Sequence, residues 1–438
     1  MIVKIKQTIL IIGDIVVLYI SLGLTLLLRY GAAINKEYLN AHLAPFSILF
    51  IAWLAIFYIG GLYEVRNLRN TLSFVRKFLV CVFASALASI TLFYLIPYFH
   101  ISPKTNLVIF VGVFAIVGGI WKMLFNSTIR LPQRRMLILG EGIEINELIA
   151  HIQENPQIGY MLVGHIPHSA TQHDAKKLIE QHTPDVIIIS EKIKNPSFIK
   201  ELAQELIRGI EIIDSTTAYQ TIFKKLPLLQ AQELWLTTRI SHPKKTYEAT
   251  KSIYEPLGAL GLFIILSPLL LLIYVCVRIT SKGPGIYKQI RVGKGGKLFW
   301  IYKFRTMRVD AEKNGAVFAQ HRDPRVTTLG NFLRFSHLDE LAQLINIIRN
   351  EISFVGPRPE RPEFVTQLND KIPYYKLRHL VRPGITGWAQ VNCRANIDLI
   401  DDTYKKLQYD MFYVQERSFI FDALVILKTI KMFLFNYK

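Results

Sequence analysis

Four long apolar runs fill most of the first 130 residues, and they constrain the fold more than anything after them: Thr8 to Leu28, Ala44 to Leu62, Phe78 to Ile96 and Leu107 to Trp121. A helix needs about 20 apolar residues to cross a hydrocarbon core ~30 Å thick, and the shortest run can borrow its flanks. No small-residue cleavage site follows the first run and three more succeed it, so it reads as an anchor and not a removable leader. Asp14 lies in the first turns of that run, near Lys4 and Lys6, a position that predicts an interfacial contact.

The loops set an orientation. Basic residues gather before the first run (Lys4, Lys6), between the second and third (Arg66, Arg69, Arg76, Lys77) and after the fourth (Arg130, Arg134, Arg135), while the other two loops carry mainly Lys36 with Glu37, and Lys104. The positive-inside rule then places the N-terminus and everything beyond the fourth run in the cytoplasm. Only 19% of the 438 residues are charged, against about 25% in an ordinary soluble chain. The 52 basic and 33 acidic residues leave a net charge of +19, which favours anionic partners: nucleic acid, anionic lipid or phosphorylated substrate. Cys81, Cys276 and Cys393 are too scattered for a disulfide framework or a zinc site and read as reduced and inert.

From about Arg134 the pattern changes to short buried strands alternating with helices. Met136 to Gly140, Tyr160 to Ile166, Asp185 to Ser190 and Ile210 to Asp214 read as strands of a parallel, doubly wound Rossmann-like domain ending near Trp235. Gly140-Glu141-Gly142 begins a dinucleotide fingerprint, but Ile145 replaces its third glycine. The second strand runs on to His165, Pro167 and His168 without the expected ribose-binding acid. A nucleotide-binding shape kept for packing or regulation fits better than a working NAD site.

A fifth apolar run, Pro256 to Val277, is long enough to span a membrane. Spanning would carry Arg278 to Arg308, with nine Lys or Arg and no acid, to the outside, which such a composition disfavours. Ser267-Pro268 stands at the midpoint, where proline removes a helix hydrogen bond. The run is therefore expected, over about 254–278, to break at Ser267-Pro268 as a re-entrant hairpin. The expected architecture is a four-helix transmembrane front (1–130), a Rossmann-like α/β middle domain (131–240) and a mixed α/β C-terminal domain (241–438) that carries the hairpin.

Lys288 to Met307 is basic, punctuated by glycine and interleaved with aromatics. It is followed by Asp323-Pro-Arg-Val-Thr327, Leu333-Arg334, Leu338-Asp339-Glu340-Leu341, Val355-Gly-Pro-Arg-Pro359 and Arg382-Pro-Gly-Ile-Thr-Gly-Trp-Ala-Gln-Val-Asn392. In this order the motifs resemble the bacterial polyprenyl-phosphate hexose-1-phosphate transferases, in their large membrane form. The resemblance implies that a sugar 1-phosphate passes from a UDP-sugar to undecaprenyl phosphate through an aspartyl intermediate. It further implies Asp339 as nucleophile with Glu340 beside it, Mg²⁺ as the metal on that pair, a homodimer in the inner membrane, and an active site on the cytoplasmic face. The family commonly has Gly-Asp where Asn350-Glu351 stand here, and Gly where Cys393 stands.

Residue chemistry is compatible with those roles. Ser336-His-Leu-Asp339 has capping-box spacing ahead of Leu341, Leu344, Ile345 and Ile348, so Asp339 is expected at a helix N-terminus, which keeps a carboxylate ionised and accepts a phosphate. Phosphoryl transfer needs cations around the diphosphate, and Lys303, Arg305, Arg334, Arg358 and Arg394 are the candidates. Pro357 and Pro359 stiffen the backbone at Arg358, while Gly384 and Gly387 suit a tight turn. The tail from Phe419 to Phe435 has helical spacing and reads as an interfacial helix with outward lysines, or as a core helix. Two other classes compete: a non-catalytic membrane-anchored regulator binding nucleotide and lipid, and a nucleic-acid binder. The acidic pair among ordered cations argues against the first, and the use of the basic excess for topology and phosphate sites against the second.

Overall fold

The computed structural model describes residues 2–31, 36–64, 70–95, 103–128, 133–155, 158–167, 172–190, 193, 200, 202, 204–228, 240, 244–281, 283–308, 311, 323–393 and 400–435. They fall into two compact units, Met1–Ser215 and Thr216–Lys438.

The first unit opens with four long helices, α1 (Ile2–Tyr30), α2 (Lys36–Ile59), α3 (Leu72–Leu95) and α4 (Pro103–Thr128). Each is apolar on every face, as a helix must be to sit among others in lipid. The inward faces meet in an aromatic core built on Phe46, Trp53, Phe57, Phe110 and Phe114, while Ile51, Val80, Phe83 and Val108 stay exposed. Asp14 is fully buried and makes no interfacial contact. Its carboxylate accepts from Lys122 Nζ at 2.6 Å, Tyr63 Oη at 2.8 Å and Trp121 Nε1 at 3.0 Å. The sequence places Asp14 near a run's end, but only the pairing of α1 with α4 supplies the cation that makes its burial tolerable.

Strands β1 (Arg134–Leu139), β2 (Tyr160–Ile166), β3 (Val186–Ile189) and β4 (Glu211–Asp214) form a parallel sheet in the order β2-β1-β3-β4. Helices α5 (Ile143–Glu154) and α6 (Gln172–His182) connect the first three strands. All four expected strands are present to within two residues at either end. The turn after β1 is closed on its neighbours. Gly140 has φ +118°, a Cβ there would lie 2.3 Å from Ser190 Cβ, and His165 Nε2 lies 2.8 Å from the Gly140 carbonyl oxygen.

In the second unit α7 (Ser215–Phe223, starting one residue early) precedes α8, a 36-residue helix from Lys245 to Thr280. It continues through Ser267-Pro268, where the sequence reading expects it to break. Proline at 268 leaves the Ile264 carbonyl without its helical donor, and Ser267 Oγ donates to that oxygen at 2.7 Å. Pro256 frees the Ser252 carbonyl in the same way, and Asn350 Nδ2 donates to it at 3.0 Å. Asn350 has φ +59°, which explains why a glycine position tolerates asparagine. With α1–α4, α8 makes five helices among the described residues that are long and apolar enough to cross a membrane.

After α8 come an antiparallel hairpin, β5 (Ile286–Val292) and β6 (Leu298–Phe304), and helix α9 (Thr328–Phe335). A 3-10 segment, Leu338–Gln343, runs into the short α10 (Leu344–Ile348). Strands β7 (Ser353–Val355) and β8 (Gly384–Thr386) pair in parallel around α11 (Pro362–Lys371), and α12 (Trp388–Asn392), α13 (Ile400–Glu416) and α14 (Phe419–Phe435) complete the unit. The tail helix α14 turns both kinds of face outward and inward: Ile420 is exposed, whereas Val425 is buried and Asp422 pairs with Lys251 at 2.6 Å. Lys428 is not turned outward, since its ammonium lies 4.4 Å from the Trp388 ring centroid. Cys81, Cys276 and Cys393 take part in no disulfide, and burial pushes the Cys393 thiol up to about 11.

Candidate active site

One buried side chain brings the acidic pair to the hairpin. Asn346, fully buried in α10, accepts from the Tyr302 backbone N–H at 3.1 Å and donates to the Trp300 carbonyl at 2.7 Å. It therefore acts as a missing strand along the outer edge of β6. Its remaining amide hydrogen goes to Glu351 Oε2 at 2.6 Å, which gives the Asn350-Glu351 variation a partner inside the fold. This docking sets Lys303, near the end of β6, against Glu340, with Nζ to Oε1 at 2.7 Å. Asn346 escaped the sequence reading, although an amide inside Leu344-Ile345-Asn346-Ile347-Ile348 is a signal that a buried partner exists.

Asp339 and Glu340 do not sit as the capping-box spacing predicts. Ser336 ends α9, its Oγ donating back to the Phe332 carbonyl at 2.8 Å, and His337 takes φ +54° before a 3-10 turn. The cap that does form is Thr327 at the start of α9, whose Oγ1 accepts from Gly330 N at 3.0 Å. The left-handed residue at 337 reverses the chain, so the acidic pair leads a 3-10 turn and not an α-helix.

The two carboxylates then live differently. Glu340 Oε1 accepts from both Lys303 Nζ and Arg358 Nη2, the latter at 3.3 Å. Burial pushes its pKa up, but Arg358 and Lys303 together prevail and hold it at about 2. Asp339 is 8% exposed, and no hydrogen bond reaches its carboxylate among the described residues. Burial raises its pKa, the charge of Glu340 adds to the rise, and Lys303, His337 and Arg334 limit it. Burial likewise lowers the Lys303 ammonium, against the pull of Glu340, while Glu340 raises Arg358. Arg334 is steered by its Nε, which donates to Thr306 Oγ1 at 2.9 Å. Arg305 is half-buried at the end of the hairpin, with its backbone N–H on the Gly285 carbonyl at 2.9 Å. Arg394 lies outside the described residues.

Arg358 is presented by a backbone segment with little freedom. The Val355 carbonyl accepts from Lys251 Nζ at 3.0 Å and Tyr413 Oη at 2.8 Å, and the Pro359 carbonyl from Arg291 Nη1 at 3.1 Å. Gly356 and Gly384 make room for this segment: a Cβ at 384 would lie 2.1 Å from the Gly356 nitrogen. Gly384 thus serves a close backbone approach within β8. Lys251 and Arg291, which hold these carbonyls, are residues that motif spacing alone did not single out. Among the described residues no three His, Cys, Asp or Glu side chains gather as a metal cage.

A bacterial sugar transferase family profile matches residues 246–436, from the first turn of α8 to the tail. The UDP-N-acetylgalactosamine-undecaprenyl-phosphate N-acetylgalactosaminephosphotransferase of Aeromonas hydrophila is 42% identical over 195 residues, 44% of this chain and 46% of that protein. The UDP-glucose:undecaprenyl-phosphate glucose-1-phosphate transferase of Caulobacter vibrioides is 34% identical over 189 residues, covering 43% of this chain and 71% of that protein. Its namesake in Xanthomonas campestris pv. campestris is 30% identical over 317 residues, 68% of this chain and 66% of that protein. The chain spans less than half the length of the Aeromonas relative. An acidic pair set among fixed cations stands on a unit that carries one helix long and apolar enough to enter a membrane. The chain belongs to the bacterial sugar transferase family.

Proposed function

We propose that the protein transfers a sugar 1-phosphate from a UDP-sugar to undecaprenyl phosphate, as the first membrane step of a bacterial surface glycan. The observation that carries this reading is the unequal acidic pair. Asp339 is unencumbered by hydrogen bonds among the described residues, while Glu340 is gripped by Lys303 and Arg358. A free carboxylate beside fixed cations suits nucleophilic attack on phosphorus.

In the first step an Asp339 carboxylate oxygen attacks the sugar-bearing phosphorus. The bond from that phosphorus to the bridging oxygen breaks, and UMP departs with the electron pair. In the second step an oxygen of the lipid phosphate attacks the same phosphorus and returns the electron pair to the Asp339 carboxylate. Lys303 and Arg358 draw charge towards the equatorial oxygens, and Arg334 stands on the Asp339 side. Arg305 and Arg394 are assigned to the same phosphates from their motifs.

The donor set fits Mg²⁺, which takes one or two carboxylates and fills its remaining positions with substrate phosphates and water. Asp339 and the second oxygen of Glu340 would hold it, and when bound it would neutralise the diphosphate. UMP release and a lipid-linked product found by mass spectrometry, from a panel of UDP-sugars with Mg²⁺, test the reading. A fresh preparation that releases no nucleotide from any of them would sink it.

The pH profile is a second test. Because Asp339 must be ionised, its raised pKa sets an acid limb above the ordinary aspartate value of 3.8, with activity lost as pH falls through it. Arg334→Gln removes a cation that lowers that pKa, so the limb moves to higher pH. An unmoved or lowered limb would contradict the assignment of Arg334 to Asp339.

We place the second unit on the cytoplasmic face of the inner membrane, with α8 bending at Pro268 without breaking, so that it enters and leaves by the same side. Tyr247, Lys251, Glu255 and Ala259 near one end of α8 and Leu270, Ile273 and Val277 near the other are all buried against that unit. A spanning helix would carry its ends to opposite sides of a ~30 Å core. The opposite face, including Ile253, Leu257, Ile264, Leu271 and Ile279, is exposed and apolar, as a face turned to lipid should be. Cysteines introduced at Tyr254 and Thr280 should label from one side of the membrane only, and labelling from opposite sides would show a true span. The α/β domain of the first unit has a four-stranded parallel sheet, and we assign it a Rossmann-like fold kept for packing or regulation. A homodimer is part of this reading.

A further inference from the structure

Behind Arg358 lies a pair of opposite charges that the transfer chemistry does not touch. Arg378, in the 3-10 turn Tyr375–Leu380, is 6% exposed, and Asp410 on α13 is 2% exposed. Arg378 Nη2 donates to Asp410 Oδ2 at 2.7 Å and to the Arg358 backbone carbonyl at 3.0 Å, while Nη1 donates to Tyr375 Oη at 2.6 Å. Both side chains are turned away from solvent, and burial lifts the Asp410 carboxyl to about 6 against the pull of Arg378. Two charges in such a place are expensive, and an apolar pair of the same size would often do as well for stability.

What an apolar pair could not supply is a donor to the Arg358 carbonyl. Pro357 and Pro359 have fixed φ and no N–H, so the segment is held through its carbonyls. The Pro357 oxygen accepts from Gly384 N at 2.9 Å and the Pro359 oxygen from Arg291 Nη1 at 3.1 Å. Between them the Arg358 carbonyl takes its bond from Arg378, and that bond fixes the peptide plane from which the Arg358 side chain departs towards Glu340.

We propose that Arg378, held in place by Asp410, is a positioning residue of the transfer reaction, gripping the Arg358 carbonyl so that the guanidinium is aimed at the acidic pair and the sugar-bearing phosphate. This role rests on the transferase reading of the site. It separates geometry from charge: Lys at 378 keeps the positive charge but cannot reach the Asp410, Tyr375 and Arg358 oxygens together.

A double-mutant cycle on the full chain in detergent or nanodiscs tests it, using Arg378→Lys, Arg358→Ala and the double variant. Arg378→Lys should lower kcat about 10- to 100-fold, the scale of a small misplacement, and leave KM for the UDP-sugar nearly unchanged. In the Arg358→Ala background the same change should have almost no further effect, because the group it positions is gone. Losses that multiply, or a loss confined to KM, would overturn the proposal. Should Arg378→Lys fail to fold, Asp410→Asn takes its place in the cycle with the same two outcomes. A parent protein that never releases UMP would instead bring down the transferase reading, and this role with it.

Discussion

Asp339→Asn should abolish the lipid-linked product and lower UMP release by on the order of 10⁴ to 10⁶, the loss typical of removing a covalent nucleophile. The substitution is nearly isosteric, and no hydrogen bond to the carboxylate is lost among the described residues, so the fold has no reason to change. Lys303, Glu340 and Arg358 keep their mutual contacts, at 2.7 Å and 3.3 Å. Glu340 cannot take over the attack. Its pKa near 2 makes it a poor nucleophile, and the oxygen that both cations hold is committed. Incubation with radiolabelled UDP-sugar in the absence of lipid should leave label on the parent protein and none on the variant. Normal turnover by Asp339→Asn would end the covalent account.

Glu340→Gln should have the next largest effect, by a different route. The amide is still an acceptor, but the charge that faces both Lys303 and Arg358 is gone. Lys303 is 21% exposed and Arg358 46%, so the loss of stability is that of a half-buried network, about 1–3 kcal/mol. The kinetic cost is larger, about 10²- to 10³-fold in kcat, since both cations lose their common anchor. Thermal unfolding followed alongside UMP release separates the two. A variant that loses stability but keeps full kcat would make Glu340 a structural anchor only.

The order of motifs from Lys288 to Asn392 led to the acidic pair, and the alternation of short apolar runs led to four strands that the sheet contains. Other readings failed where the spacing was ambiguous. Ser336 to Asp339 has the letters of a capping box, yet Ser336 closes the preceding helix, because the left-handed turn at His337 intervenes. Ser267-Pro268 looks like a helix break, yet a serine hydroxyl satisfies the carbonyl that the proline frees. Local patterns report what a segment can do alone, and in both places a neighbouring group settled the competition.

The sequence alone determined which segments are apolar enough for lipid and which strands alternate with helices. Those follow from composition and period, which every segment carries within itself. The tertiary structure decided that Glu340 is clamped while no hydrogen bond among the described residues reaches the Asp339 carboxylate. It decided equally that Arg358 is braced from behind by Arg378, and that Lys122 lies beside Asp14. These facts join residues 18 to 108 positions apart, and charges at such separations feel one another only when folding has brought them within a few ångströms and removed the water between them.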